Sequence, residues 1–279
     1  MQLSETYPQR RAFITGAASG LGLVLCEVLA EDGWTLGMAD INEAGLAEAV
    51  ARIEAAGGTP HPVVLDVTDA MAFQAAADAF AEGAGGVDVV INNAGIAVAG
   101  TLEETSLADW EAIVGINLMG VVHGCRAFIP HLKKVGGHLI NIASAAAVAA
   151  GPFMTAYNAT KAAVLALSET LYSELYDDNI RVSVAMLTFF KTNIGKAQRG
   201  NAAHRMITER LLDRSNLTPR EVAGAILAEA GKNKLHILYP RDARKLWYHK
   251  RFFPMRYLDS MITVARKTVR FLARHGVEA

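Results

Sequence analysis

Short runs rich in valine, isoleucine and leucine alternate with longer helical patterns along most of this 279-residue chain. Seven of the runs are predicted strands, at 11–15, 35–39, 62–66, 87–92, 138–143, 181–187 and 235–239. The predicted helices lie at 20–31, 43–55, 70–81, 107–133, 155–176 and 219–231. Near-continuous apolar strands are typical of a parallel sheet covered by helices on both faces. The alternation therefore predicts a single α/β domain with a doubly wound, seven-stranded parallel sheet.

A glycine-rich loop joins the first predicted strand to the first predicted helix. It runs from Thr15 to Gly22 with the spacing Gly-x-x-x-Gly-x-Gly. Glycines here let the backbone approach a pyrophosphate, and the helix N-terminus adds N–H donors and a positive dipole. The loop predicts a dinucleotide site in a Rossmann-type fold, bound by Gly16, Ser19, Gly20, Leu21 and Gly22.

Asp40 stands at the end of the second predicted strand. A carboxylate at this place accepts hydrogen bonds from the adenosine ribose diol and repels a 2′-phosphate. Neither Ser19 nor Ile41 supplies the arginine that a phosphorylated ribose favours. The pattern predicts NAD as the cofactor and makes NADP the less favoured one.

Tyr157 and Lys161 are four residues apart in a predicted helix, and Ser144 follows a predicted strand. The spacing places the phenol and the ammonium on one helix face, one turn apart. A neighbouring ammonium favours the phenolate, so we expect it to lower the pKa of Tyr157 from about 10. The tyrosine would then be a general acid or base, and Ser144 would hydrogen-bond the reacting oxygen.

These motifs occur in the order and spacing of the short-chain dehydrogenase/reductase family, which the chain resembles over about residues 10–240. Asp66-Val67 resembles the adenine-contacting pair of that family, and Asn92-Asn93-Ala94-Gly95 resembles its motif after the fourth strand. The resemblance implies a catalytic tetrad of Asn117, Ser144, Tyr157 and Lys161. It also implies cofactor contacts from Asp66, Val67, Asn93, Ala94, Gly95, Tyr157, Lys161 and Thr192. Asn117 would kink its helix and position a water that links Lys161 to solvent.

The chain departs from the family at Leu187-Thr188, where Pro-Gly is usual. The substitution adds bulk and removes the conformational freedom of glycine close to the nicotinamide. The residues expected to contact substrate are Ser144, Ala145, Phe153, Tyr157 and Phe189. They are mostly apolar, and residues 193–216 are predicted to form a lid, so the expected substrate is a largely apolar alcohol or ketone.

Basic charge is concentrated after residue 240. Residues 241–279 carry ten Lys or Arg and three Asp or Glu. The rest of the chain carries 17 Lys or Arg and 25 Asp or Glu. Apolar residues repeat at helical spacing within 255–274, which predicts a basic amphipathic helical extension to a catalytic domain at 1–240. Such a helix can lie on an anionic membrane. Packing on a partner subunit, or over the mouth of its own active site, is the favoured alternative.

Composition adds three further expectations. The two cysteines, Cys26 and Cys125, have no metal-ligand spacing, so no metal site is expected. The N-terminus is polar and no run approaches about 20 uninterrupted apolar residues, which favours a cytoplasmic protein. The acidic body and the lack of a reader motif argue against nucleic-acid binding.

The sequence thus predicts an NAD-dependent oxidoreductase that interconverts an apolar alcohol (aromatic, terpenoid, steroidal or fatty) and its ketone or aldehyde. An NADP-dependent carbonyl reductase is the main alternative, followed by a membrane-associated lipid, retinol or steroid dehydrogenase that uses the C-terminal tail. A non-catalytic NAD-binding regulator would be expected to lose a tetrad residue, and all four are present. The resemblance also implies a homodimer or homotetramer.

Overall fold

The computed structural model describes residues 3–191 and 199–274 of the chain. Within them, seven parallel strands form one sheet, in the order β3-β2-β1-β4-β6-β7-β9. Their bounds are β1 Arg11–Thr15, β2 Thr35–Asp40, β3 Thr59–Val64, β4 Val89–Asn92, β6 Gly137–Ile142, β7 Ile180–Leu187 and β9 His236–Tyr239. Two short strands, β5 Val98–Ala99 and β8 Arg199–Gly200, pair with each other outside this sheet. The predicted α/β fold is therefore confirmed.

The helices cover both faces of the sheet, and two large buried clusters join them to it. Their bounds are α1 Leu3–Thr6, α2 Gly20–Ala30, α3 Glu43–Ala55, α4 Ala70–Gly83, α5 Leu107–Val114, α6 Gly120–Leu132, α7 Ala146–Ala149, α8 Thr155–Glu174, α9 Ala202–Asp213, α10 Pro219–Ala230, α11 Arg241–Phe252 and α12 Pro254–Arg274. One cluster joins α2, α3 and α10 to the sheet. The other joins α4, α6 and α8 to the opposite face. This two-sided burial explains why the strands read as continuous apolar runs.

From β1 the chain adds β2 and β3 on one side of the sheet, and then β4, β6, β7 and β9 on the other side. The direction of winding therefore reverses between β1 and β4, which are neighbours in the sheet. In open α/β sheets, ligands bind in the crevice outside the carboxyl ends of the strands at this switch point. The loops that follow β1 and β4 carry the glycine motif and the Asn92–Gly95 motif. The topology therefore brings the predicted cofactor residues to one edge.

Two predicted elements differ from the structure. The third strand runs over Thr59–Val64 rather than 62–66, because Pro60 and Pro62 are tolerated on an edge strand. The predicted helix at 107–133 is interrupted by a π-helical turn at Gly115–Met119, between α5 and α6. Such turns are rare and occur frequently at functional sites.

One helical stretch in the described part of the chain, Leu107–Leu132, is long and apolar enough to cross a bilayer. About 44% of its apolar window is buried inside the protein, and α6 packs against α4 and β4. Core helices pass the same test of length and composition, so the stretch is weak evidence for a membrane span.

The C-terminal segment consists of two helices, α11 and α12, whereas the sequence predicts only the second. The predicted domain boundary at residue 240 falls at the turn between β9 and α11. Trp247 of α11 packs on the core cluster around α4, α6 and α8, with its ring 4.8 Å from that of His236. Residues 241–252 thus pack directly on the body of the domain.

Candidate active site

A cavity of about 520 Å³ lies at the carboxyl ends of the central strands. Most residues predicted for the site line it: Gly16, Ser19, Gly20, Leu21, Asp40, Asp66, Val67, Asn93, Ala94, Gly95, Ser144, Ala145, Tyr157, Lys161 and Phe189. Gly22, Asn117 and Phe153 do not line it. Thr192 and the start of the predicted lid, 193–198, lie outside the described residues.

The glycine loop has the backbone that a phosphate site requires. Gly16 adopts φ +69°, and a Cβ there would lie 2.8 Å from Asn93 Nδ2. Ser19 precedes α2 without capping its first turn, so the N–H groups there are available to an anion. Gly22 is predicted to bind the cofactor but does not line the cavity. A Cβ on it would lie 2.0 Å from Gly16 O, so this glycine lets α2 pack on the loop.

Thr15 and Asn93 join the ends of β1 and β4. Thr15 Oγ1 accepts hydrogen bonds from the backbone N–H groups of Asn93 and Ala94, each at 3.0 Å. Asn93 Nδ2 donates to Thr15 O at 2.8 Å. Thr15 was not predicted as a site residue, although its place before the glycine loop is a usable signal. The pair fixes the loop after β4, whose Asn93 and Ala94 line the cavity, against the end of β1.

Asp40 is held at the end of β2 by two backbone donors. Its Oδ2 accepts from Ala18 N–H and its Oδ1 from Asn42 N–H, both at 2.9 Å. Each carboxylate oxygen keeps a further lone pair. The carboxylate is thus oriented toward the cavity in the way that recognition of a ribose diol requires.

Tyr157 and Lys161 face the cavity from α8, as their spacing predicts. Tyr157 is 9% exposed and Lys161 is 3% exposed. Lys161 Nζ donates to Ile142 O at 2.9 Å and lies 5.8 Å from the centroid of the Tyr157 ring. Ser144, just after β6, accepts from Ala146 N–H at 3.1 Å, which fixes its hydroxyl at the same end of the cavity.

The pKa of Tyr157 differs from the expected direction. Burial raises the pKa of Tyr157, and the neighbouring hydroxyl of Ser144 opposes that rise. Burial also lowers the pKa of Lys161 to about 8. The expectation that the pKa of Tyr157 is lowered is therefore wrong for the protein alone, because desolvation of the phenol is the largest effect on it. Ser144 is the group that favours the phenolate here.

Asn117 lies in the π-helical turn and is fully buried. Its Oδ1 accepts from Ile96 N–H at 2.8 Å, and its Nδ2 donates to Ile96 O at 2.9 Å. A Cβ on Gly95 would lie 3.1 Å from Asn117 Oδ1 and 3.5 Å from Lys161 Nζ, so the glycine permits this close approach. The predicted irregularity of the helix is present. The side chain positions the loop after β4 and does not face the cavity.

The other end of the cavity is apolar. Ala145 and Phe189 line it as predicted, but Phe153 stacks on His204, with ring centroids 4.5 Å apart, and Met154 takes its place. Leu187 and Thr188 also line the cavity, and neither has a positive φ. The presence of Leu187-Thr188 in place of the usual Pro-Gly therefore puts no strain on the backbone at this turn.

The apolar wall also includes Ile96, Leu212 and Leu246, and of these three only Leu212 lies in the predicted lid at 193–216. They come from the loop after β4, from α9 and from α11. Sequence spacing offers no signal for Leu246, because only long-range packing brings α11 to the cavity. Leu246 makes the C-terminal segment part of the site.

Comparison with known proteins agrees with this geometry. The family model described as short chain dehydrogenase matches residues 10–203. The chain is 34% identical over 232 residues to "Probable oxidoreductase EphD" of Mycobacterium tuberculosis, covering 79% of this chain and 39% of that protein. It thus spans about two-fifths of the length of this relative. It is 32% identical to "C alpha-dehydrogenase" of Sphingobium sp., covering 85% of this chain and 83% of the relative.

A solved short-chain dehydrogenase/reductase from Burkholderia phymatum, in complex with NAD, superimposes with a TM-score of 0.83. It is 32% identical, and the match covers 88% of this chain and 95% of that one. Fold, ordered motifs and family match coincide, so the resemblance drawn from the motifs is confirmed. The chain belongs to the short-chain dehydrogenase family of oxidoreductases.

Proposed function

We propose that the protein is an NAD-dependent oxidoreductase that interconverts an apolar alcohol and its ketone or aldehyde. The observation that carries the proposal is that the buried side chains of Tyr157 and Lys161 line one cavity together with Ser144. Apolar side chains, among them Met154, Phe189 and Leu246, line the same cavity. A proton-transfer group of this kind suits the removal of a hydroxyl proton from a substrate with little polar surface.

The residues present fit a nicotinamide dinucleotide. A Cβ would fill the backbone cradle at Gly16, and the uncapped first turn of α2 offers donors for a pyrophosphate. The oriented Asp40 carboxylate suits a ribose diol and opposes a 2′-phosphate, which supports NAD. Similar solved structures carry NAD or 5-hydroxy-NADP, so the choice between the two rests on Asp40.

The dinucleotide, when bound, accepts or supplies the hydride. Tyr157 accepts the hydroxyl proton during oxidation and donates it during reduction. Ser144 hydrogen-bonds the same substrate oxygen and stabilises the phenolate form of the tyrosine. Lys161, with a pKa of about 8, offers a cation that can hydrogen-bond a cofactor ribose. Asn117 holds the loop that carries Gly95 in place beside that cation.

The wall of the cavity supports an apolar substrate. Ala145, Met154, Phe189, Leu212 and Leu246 enclose the substrate end, and none of them can bind a carboxylate or phosphate group. Apolar pockets discriminate between related compounds by only about 1–3 kcal/mol per methylene. We therefore propose a class of substrates, with an aromatic or aliphatic body beside a primary or secondary alcohol.

Tyr157→Phe tests the proposal. Without the phenolic proton, turnover with NAD and a panel of apolar alcohols should fall by about 10²–10⁴-fold. The dissociation constant of NADH, measured by fluorescence titration, should change less than about threefold, since the fold is retained. Tyr172→Phe, on the exposed face of the same helix, is the matched control and should behave like the wild type. Equal turnover in Tyr157→Phe and wild type would contradict the mechanism.

The same titration separates the alternatives. An NADP-linked carbonyl reductase would bind NADPH more tightly than NADH and reduce the ketones of the panel. A non-catalytic regulator would bind NADH and turn over nothing in either direction. The proposed function requires NADH to bind more tightly and at least one apolar alcohol to be oxidised.

A further inference from the structure

The helix α12 is bound to the body along only one of its faces. Tyr257 Oη donates to Ala149 O at 2.9 Å, and Leu272 is fully buried at the other end of the helix. The Arg210 guanidinium of α9 lies 4.8 Å from the Phe271 ring. The helix therefore crosses from the C-terminal end of α7, beside the active site, to α9, with its buried face on both.

A second apolar strip of α12 faces outward. At about 100° per residue, Met255, Leu258, Ile262 and Val269 fall on the arc next to the buried face. They are 66%, 39%, 51% and 43% exposed. Phe252 and Phe253, at the junction with α11, are also exposed. In the described part of the chain, nothing covers this strip. A contiguous exposed apolar patch of this kind marks a surface that interacts with a protein or a membrane.

The arc beyond the apolar strip is basic. It carries Arg256, Arg266, Lys267, Arg270 and Arg274 against the single acidic residue Asp259. Within residues 3–191 and 199–274, none of these five cations forms an ion pair. The charge is thus free to meet a negative surface outside the protein.

We infer that this exposed face of α12 docks on an anionic lipid bilayer. The apolar strip would enter the headgroup boundary, and the adjacent cations would meet anionic lipids. Charge complementarity favours this occupant over a second copy of the chain. In a two-fold dimer through the strip, the like-charged arcs of the two copies would be brought close together.

The position of the helix adds a consequence for the enzyme. Leu246 of α11 lines the cavity, and Tyr257 of α12 donates a hydrogen bond to Ala149 O at the end of α7. The docking face therefore belongs to the C-terminal segment that also walls the substrate end of the cavity. An apolar alcohol dissolved in the bilayer would then be near the cavity. This consequence rests on the proposed function, whereas the docking itself does not.

Vesicle co-sedimentation of the full chain tests the inference. One set of vesicles contains phosphatidylcholine alone, and the other contains equal parts of phosphatidylcholine and phosphatidylglycerol. The protein should pellet with the anionic vesicles at low salt and be released at high salt, because screening weakens the attraction. Arg266→Gln/Arg270→Gln should weaken binding by on the order of tenfold or more. Leu258→Ser/Ile262→Ser should weaken it without changing its salt dependence.

Matched controls alter exposed residues of the same chemical kind elsewhere on the protein. Met71→Ser/Leu102→Ser removes exposed apolar side chains, and Arg126→Gln/Lys134→Gln removes exposed cations of the body. Both should pellet like the wild type, and all variants should keep the wild-type thermal midpoint and NADH affinity. Binding is read without turnover, so its failure is distinct from failure of the proposed enzyme activity.

Three results would overturn the inference. The first is that the wild type stays in the supernatant with anionic vesicles at low salt. The second is that the two α12 variants pellet as well as their controls. The third is that Leu258→Ser/Ile262→Ser converts a dimer to a monomer in gel filtration while the wild type binds no vesicles, which would assign the strip to a contact between copies.

Discussion

Lys161 donates from Nζ to the carbonyl oxygen of Ile142 across 2.9 Å, at the end of β6 and almost entirely out of solvent. Burial lowers the pKa of Lys161 to about 8 from its ordinary value of 10.5. The ammonium that the proposed site uses is therefore held at a cost in folding free energy. Functional sites commonly trade stability for activity in this way.

Replacing Lys161 by methionine should stabilise the protein at neutral pH. Between pH 8 and 10.5 the unfolded chain binds the lysine proton and the folded protein does not. The burial penalty is therefore complete below about pH 8 and declines as the pH rises toward 10.5. Allowing about 1 kcal/mol for the lost hydrogen bond to Ile142, Lys161→Met should raise the free energy of unfolding by about 1–3 kcal/mol at pH 7. Urea denaturation checks this value.

The gain from Lys161→Met should shrink when the denaturation is repeated near pH 10, whereas turnover should be lost at either pH. The exposed Lys134→Met is the control and should show no pH-dependent gain. A destabilised Lys161→Met at pH 7 would show that the hydrogen bond to Ile142 outweighs the desolvation of the ammonium.

The nucleotide preference should reverse when the charge at the end of β2 is reversed. Asp40→Ser/Ile41→Arg removes the carboxylate that opposes a 2′-phosphate and adds a cation at an exposed position that lines the cavity. The ratio of kcat/KM for NADP to that for NAD should rise on the order of 100-fold, since charge-assisted pairs with phosphate are strong. Steady-state kinetics with both cofactors measure it, and Ile41→Gln is the uncharged control. An unchanged ratio in the double variant would remove Asp40 as the selector.

The sequence predicts those site residues whose positions are set by local structure, at a strand end or on a helix face. The glycine loop, Asp40, Tyr157 and Lys161 all lie in the cavity because strand ends and helix faces fix them, and both can be read from spacing. Phe153 was misassigned because a neighbour from α9, His204, stacks on its ring. The same limit applies to the pKa of Tyr157, which depends on how deeply the packed fold buries the phenol.

Leu246 is the clearest case of a residue that only tertiary packing reveals, and its truncation should change substrate preference. Leu246→Ala removes three carbon atoms from the apolar wall of the cavity. KM for bulky apolar alcohols should rise by about five- to twentyfold, while kcat for a small alcohol stays near the wild-type value. Leu258→Ala, an exposed leucine of the same C-terminal segment, is the control. Equal KM values for Leu246→Ala and Leu258→Ala would show that α11 does not contact substrate.

Two glycine-to-alanine changes should have opposite effects, because only one glycine is needed for a close approach. A Cβ on Gly22 would lie 2.0 Å from Gly16 O, a backbone atom that can move only if the glycine loop moves. Gly22→Ala should therefore weaken NADH binding by about tenfold or more and cost about 1–3 kcal/mol of stability.

Gly224 lies within α10, and a Cβ there would meet nothing within 4 Å. Gly224→Ala should therefore stabilise the protein by about 0.5–1 kcal/mol, through the lower backbone entropy of the unfolded chain, and leave NADH binding unchanged. Thermal unfolding and fluorescence titration of both variants check the pair. If Gly22→Ala bound NADH like Gly224→Ala, contact between α2 and the loop would not be what shapes the phosphate cradle.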